Sequence, residues 1–223
     1  MDVGRDTRRD VRAPLVLERL AAAMPDARIA LDFTTPWELL VATILSAQST
    51  DERVNRVTPR LFARFPDAAA TAGATQEELE GLVGELGLFR NKARNIRATA
   101  AIVVERHGGE VPADMDALIA LPGVARKTAN VVLANGFAIH EGIAVDTHVG
   151  RVARRLALTR GQDPVVVEQD LMRLFPRERW LAVSDLLIHL GRGACDARRR
   201  RCDECPVEDL CPSSSVAGRD DRR

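Results

Sequence analysis

Apolar positions along this chain recur at the three-to-four-residue spacing of helices and almost nowhere at the two-residue spacing of strands. The first such stretch covers 14–24, through Leu15, Leu17, Leu20 and Ala21; ahead of it, residues 1–13 are polar and aperiodic and read as a loose arm. Thr35-Pro36-Trp37-Glu38 has the form of a capping box with proline at the first helical position, so a helix starts there. That helix is apolar on most sides, through Leu39, Leu40, Ile44 and Leu45, which marks the centre of a helical domain. Asp51 is positioned to cap the next helix, which carries Val54, Val57, Leu61 and Phe65. A second capping box, Thr75-Gln76-Glu77-Glu78, opens a helix that stops at Gly87; another begins at Arg90 or Asn91 and runs to about His107. A short helix over 114–120 is ended by Pro122 and Gly123, after which Ala129, Val132, Leu133 and Gly136 return to helical spacing. Further helices are expected over 147–156, from Asp163-Pro164 to near Phe175, and over 180–190. With no convincing alternating strand, the expected fold class is all-α. The tail beyond Cys211 is expected to be disordered.

Composition narrows the classes of function. At 223 residues the chain can bury one good core or two small ones sharing an interface. The formal net charge is zero, so binding to nucleic acid needs a local basic face and cannot be argued from the total. No apolar run is long enough to span a bilayer and no signal-peptide pattern opens the chain, so a soluble, cytosolic protein is expected. In that compartment four clustered cysteines point to a metal site rather than to disulfides.

Chemistry concentrates at Leu121-Pro122-Gly123-Val124-Ala125-Arg126-Lys127-Thr128-Ala129-Asn130. A glycine turn opening a helix leaves backbone N–H groups pointing outward at the positive end of a helix dipole, which suits a phosphate oxygen near Gly123 and Ala125. The chain has 32 lysines and arginines, of which only Lys92 and Lys127 are lysine. Arginine cannot lose its proton to become a nucleophile, so the ammonium retained at 127 is a candidate amine catalyst. A place in the first turn of a helix disfavours the charged form, and burial would do the same. Val145-Asp146-Thr147-His148 supplies a carboxylate at a helix start, where it also makes a good N-cap. His148 and His189 read as packing or hydrogen-bonding residues.

Cys195, Cys202, Cys205 and Cys211 are all the cysteines, with six, two and five residues between them. Four thiolates in so short a stretch can close around one centre, and both zinc and an iron–sulfur cluster accept such a set. Between the first two lie Arg198, Arg199, Arg200 and Arg201, which a metal-pinned loop would hold where they can reach phosphates.

Taken together, the hairpin, the Val145–His148 segment and the cysteine spacing resemble the endonuclease III family of helix-hairpin-helix DNA glycosylases, over roughly residues 15–212. The resemblance implies a [4Fe-4S] cluster on the four cysteines, a barrel of six helices over about 29–139, and a second domain formed by 1–28 and 140–223. An active-site cleft would lie between the domains, with Lys127 from one side and Asp146 from the other. Ser46-Ala47-Gln48 matches the loop whose glutamine fills the gap left by an extruded nucleotide. The segment Gly87–Ala93 is similar to the second wedge loop, with Leu88 as the intercalating residue.

The implied function is a bifunctional DNA glycosylase and AP lyase of base excision repair, acting on oxidised pyrimidines such as thymine glycol. Its partner would be double-stranded DNA with damaged bases or abasic sites, and the expected form is a monomer in the bacterial cytoplasm, associated with the nucleoid. Lys127 as neutral amine would attack the sugar, and Asp146 would take its proton or stabilise the charge that develops. Rival readings are a monofunctional adenine-mismatch glycosylase of the same superfamily, which lacks the hairpin lysine, a non-catalytic DNA-binding module, and a zinc-bound structural protein. Two positions depart from the family pattern. Ala125 stands where a second glycine is common, so phosphate affinity at the hairpin is the property at stake if that position needs positive φ. Phe89 stands where some members have tyrosine.

Overall fold

A computed structural model describes residues 3–216 and shows the expected all-α architecture; among the described residues the one piece of β pairing is an isolated bridge between Cys195 and Arg200. The chain divides into two compact units: a continuous one, Ala30–Glu141, and a split one that ends at Ile29 and resumes at Gly142.

The continuous unit holds seven helices: α2 (Pro36–Leu45), α3 (Asp51–Arg64), α4 (Ala68–Gly73), α5 (Gln76–Val83), α6 (Phe89–His107), α7 (Met115–Ile119) and α8 (Arg126–Phe137). Its axis is α2, buried from Leu39 through Leu45 and packed against α3, α6 and α8. A helix buried all round must be apolar all round, and the one hydroxyl in its middle, Thr43, turns inward to donate to the carbonyl of Leu39. Side-chain caps set most starts. Thr75 and Glu78 form the full reciprocal box, and Asp114 accepts from the N–H of Ala117. At Thr35 only half of the expected box forms: Thr35 accepts from Glu38, while the Glu38 carboxylate reaches one residue further back to the N–H and hydroxyl of Thr34.

Two expectations for this unit are corrected. The residue before α3 is Thr50, not Asp51; Asp51 is the first helical residue, where its charge still faces the positive end of the helix dipole. Helix α4 is absent from the sequence-based expectation, because Ala-Ala-Ala-Thr-Ala-Gly carries no large apolar residue to mark a period; Asp67 caps it through the N–H of Ala70, and it packs along α6.

The split unit is built from α1 (Arg9–Ala23), α9 (Thr147–Arg155), α10 (Pro164–Leu174) and α11 (Trp180–Arg192), followed by single 3-10 turns through the cysteine segment. Its core joins Val16, Leu17 and Leu20 of α1 to Val149 and Val152 of α9, Val167 and Leu171 of α10, Leu186 and Leu187 of α11, and Val207 and Leu210 from the cysteine segment.

The expected loose arm is in part a helix. The first turns of α1 precede Pro14, and Arg12 within them is 2% exposed. Its guanidinium donates to the carbonyls of Leu156 and Leu210 and, more weakly, Thr7. A local pattern of polar residues cannot reveal an anchor whose partners lie 144 and 198 positions away. The tail is likewise tied down as far as it is described: Ser213 accepts from Arg200, and the Ser214 hydroxyl donates to Glu208. The remaining tail positions, 217–223, lie outside the described residues.

Candidate active site

Helix α6 organises the functional loops of the continuous unit through one face. Leu88, Lys92, Asn95 and Thr99 follow the four- and three-residue steps that bring side chains into line. Leu88 is the N-cap position, in left-handed conformation at φ 60° and 55% exposed. Lys92 is 3% exposed and donates from Nζ to the hydroxyl of Ser49 at 2.7 Å. Asn95 lies against Gly123, and Thr99 donates to the carbonyl of Pro122 at 3.0 Å. The two sequence-identified wedge residues are thus close neighbours. Gln48 is exposed and also left-handed, at φ 53°, and its carbonyl lies 3.6 Å from where a Cβ on Gly87 would stand. Among the described residues the other non-glycine positions at positive φ, Ala138 and Ala157, follow helix ends, whereas Gln48 and Leu88 carry this local cost on adjoining loops.

The hairpin turn depends on Gly123. Its φ is +81°, and a Cβ there would sit 2.8 Å from Asn95 Nδ2. Ala125 is the N-cap of α8 at φ −97° and ψ 170°, ordinary extended backbone, so alanine costs no strain where the family often has glycine. Lys127, the second residue of α8, is exposed rather than buried. It stands at the helix N-terminus, as expected.

In the split unit Asp146 caps α9, with Oδ1 accepting from the N–H of Val149 at 2.8 Å. Capping engages one carboxylate oxygen and leaves Oδ2 available, so a cap and a proton acceptor can coexist in one side chain. His148 is engaged by Arg151, which also donates to the carbonyl of Gly191; His189 Nε2 meets the carbonyl of Arg28. Both histidines have the bonding roles expected of them.

The opposite end of α9 holds the cysteine segment, through a residue that sequence reasoning misses. Arg155 donates to the carbonyls of Cys195, Asp196 and Ala197 and approaches Cys195 Sγ at 3.3 Å. No sequence signal marks it, since one arginine among thirty (32 basic residues less two lysines) has no local distinction. All four cysteines line one cavity, together with Arg155 and the apolar walls Leu156, Leu190 and Ala194. Burial pushes the Cys205 thiol up to about 11, and the charges of Cys195, Cys211 and Cys202 push in the same direction. Four thiolates crowded this way repel one another, and a bound cationic centre removes that cost. Among the described residues no three His, Cys, Asp or Glu side chains close up tightly enough for a single metal ion.

The arginines between the first two cysteines are all exposed. Arg200 donates to Ser213 and Arg201 pairs with Glu204, whereas the side chains of Arg198 and Arg199 extend into solvent without a bonded partner among the described residues. The backbone beneath those two is fixed: Asp196 accepts the N–H groups of Arg198 and Arg199, and these two bonds, with the backbone of Ala197, lower its carboxyl to about 2. Among the described residues no helix is long and apolar enough to cross a membrane.

A turn of this kind between α7 and α8 on an all-helical scaffold defines a helix-hairpin-helix protein, and the match to a known superfamily agrees: residues 41–177 fit the model described as HhH-GPD superfamily base excision DNA repair protein. Endonuclease III of Synechocystis sp. is 52% identical over 206 residues, covering 92% of this chain and 94% of its own. The endonuclease III of Escherichia coli K12 is 43% identical, covering 88% and 92%. A solved structure of an endonuclease III trapped as a covalent intermediate with DNA matches with a TM-score of 0.87 and 42% identity, over 92% of this chain and 96% of that one. The chain belongs to the endonuclease III family. It is an enzyme of base excision repair, a DNA glycosylase of the class with AP lyase activity.

Proposed function

We propose that this enzyme removes oxidised pyrimidines such as thymine glycol from duplex DNA and then cleaves the strand 3′ to the abasic site by β-elimination. The observation that carries the reading is Lys127: an exposed amine at the second position of α8, directly after the hairpin turn, in a chain that otherwise uses lysine once. A relative that forms a covalent intermediate with DNA supports an attacking group in this family.

The damaged nucleotide leaves the stack, which costs less where damage has already weakened pairing. Gln48 and Leu88 occupy the space it leaves. Neutral Lys127 Nζ forms a bond to the sugar C1′ as the glycosidic bond breaks and the base departs. Asp146 accepts the proton that Nζ releases, through the carboxylate oxygen that capping does not use. The C1′–O4′ bond of the sugar ring then breaks, O4′ taking up a proton, and leaves a Schiff base between C1′ and Nζ; this acidifies the C2′ protons, loss of one expels the 3′ phosphate as the C3′–O bond breaks, and water hydrolyses the imine to free the lysine. The hairpin backbone at Gly123 and Ala125 and the side chains of Arg198 and Arg199 bind phosphates; the N–H of Val124 is used within the turn, donating to the carbonyl of Leu121.

Cys195, Cys202, Cys205 and Cys211 would hold a [4Fe-4S] cluster. All four thiols line one cavity, and four thiolates are the ligand set such a cluster takes. Base removal and elimination need no electron transfer, so when bound the cluster supplies rigidity to the loop that carries the arginines. We take the two compact units as the two domains, and the working form as a monomer on chromosomal DNA.

The test is borohydride trapping on a duplex containing thymine glycol. Wild type should form a permanent crosslink and Lys127→Gln should form none while still binding the duplex. A crosslink that survives in Lys127→Gln would remove this lysine from the mechanism.

A further inference from the structure

Lys92 is the other lysine of the chain, and its surroundings are unlike those of a solvated charge. It is 3% exposed, it stands in the first turn of α6, and its ammonium donates to the hydroxyl of Ser49 at 2.7 Å, with no carboxylate among the described residues in an ion pair with it. Burial lowers its pKa, and the positive end of a helix dipole opposes its charge as well. A buried ammonium in so unfavourable a place calls for a compensating role.

The residues it joins are informative. Ser49 directly follows Gln48, whose backbone is held at φ 53°. The N–H of Lys92 donates to the carbonyl of Leu88, which is held at φ 60°. One residue therefore bonds to the Leu88 loop through its backbone and to the Gln48 loop through its side chain. The two loops are already in van der Waals range at Gly87 and Gln48.

We propose that Lys92 is a positioning residue that clamps the two wedge loops together, holding Gln48 and Leu88 in their left-handed conformations so that they enter the duplex as one preformed unit. The proposal rests on the reading of Gln48 and Leu88 as the residues that replace the extruded nucleotide. Its energetic sense is pre-organisation: the cost of holding two residues at positive φ is met on folding and does not recur on each encounter with DNA. A point-like ammonium suits a tight bond to one hydroxyl, where a guanidinium fork would need more room.

The clamp is tested with Lys92→Met and Ser49→Ala in the cluster-loaded full-length enzyme, with Gln48→Ala and Leu88→Ala beside them. Single-turnover base excision is measured on thymine glycol paired with adenine and on the same lesion in an unpaired bulge, where extrusion is nearly free. Lys92→Met should slow excision about tenfold or more from the paired site and less than about threefold from the bulge. Ser49→Ala should do the same to a smaller extent, and the double variant should be no slower than Lys92→Met alone. A merely structural lysine would depress both substrates equally, in step with a lowered melting temperature, and that result would overturn the clamp. So would a normal paired-to-bulge ratio in Ser49→Ala, the variant least able to disturb folding. If Gln48→Ala and Leu88→Ala also leave the ratio unchanged, the wedge reading itself fails; if only those two alter it, the wedge stands and the clamp falls.

Discussion

Arg12 carries a positive charge into the core of the split unit and meets carbonyl oxygens there, with no carboxylate among the described residues in an ion pair with it. Burial lowers its pKa, but a guanidinium stays charged even so. Removing it strands buried carbonyls, so Arg12→Met should lower stability by about 2–4 kcal/mol, read from the urea midpoint. Asp185 on α11 meets the same problem by holding its proton to a higher pH than an ordinary carboxyl. Burial raises it to about 6, and the neighbouring charge of His189 only partly opposes the shift. The folded state thus holds this proton more tightly than the unfolded chain, whose carboxyl titrates near the ordinary value of about 4. Between about pH 4 and 6 the unfolded chain ionises first, so this group's contribution to stability falls as pH rises through that window and stays lost above it. The limit set by a shift of this size is roughly 3 kcal/mol, less whatever solvent screens. Asp185→Asn should therefore raise the melting temperature at pH 7.5 and leave it nearly unchanged at pH 4; a lower value at pH 7.5 would contradict this account.

Turns and caps carry the functional geometry at the level of elements. At the hairpin, Gly123→Ala forces a side chain into φ +81° against Asn95 and should cost about 1–3 kcal/mol, with weaker DNA binding as the more sensitive readout. Ala125→Gly should not improve stability. Alanine already sits in a relaxed conformation, so glycine only loosens the unfolded chain, by up to about 1 kcal/mol in thermal unfolding. The helix starts are largely legible in the sequence because their signals are local: Asp114, Asp146 and Asp163 read as starts, and all accept a backbone N–H. What escapes is non-local or featureless. Helix α4 has no large apolar side chain, Arg12 and Arg155 find their partners far along the chain, and the exposure of Lys127 follows from packing that no spacing encodes. Within the candidate site, the residue types and motifs can be read directly. The common face of α6 beneath both loops and the hairpin cannot, since it emerges only once Ser49 and Pro122 are known to touch it.

For the molecule as a whole, zero net charge means that attraction to DNA must come from a few placed side chains. Double-strand affinity should fall steeply with salt, and replacing Arg198 and Arg199 with alanine should reduce the slope of log affinity against log salt by about one for each phosphate that the pair neutralises. An unchanged slope would remove those two from the interface. The split arrangement also bears on how the protein is made. A ribosome delivers α1 ahead of the continuous unit, yet Arg12 needs the carbonyls of Leu156 and Leu210, which emerge only after that unit. The continuous unit, Ala30–Glu141, contains all seven of its helices and can close while synthesis is still under way. Until then α1 waits with Val16, Leu17 and Leu20 uncovered, a ready target for a chaperone. Arrested nascent chains should therefore gain protease resistance in two stages, with α1 protected only in the second.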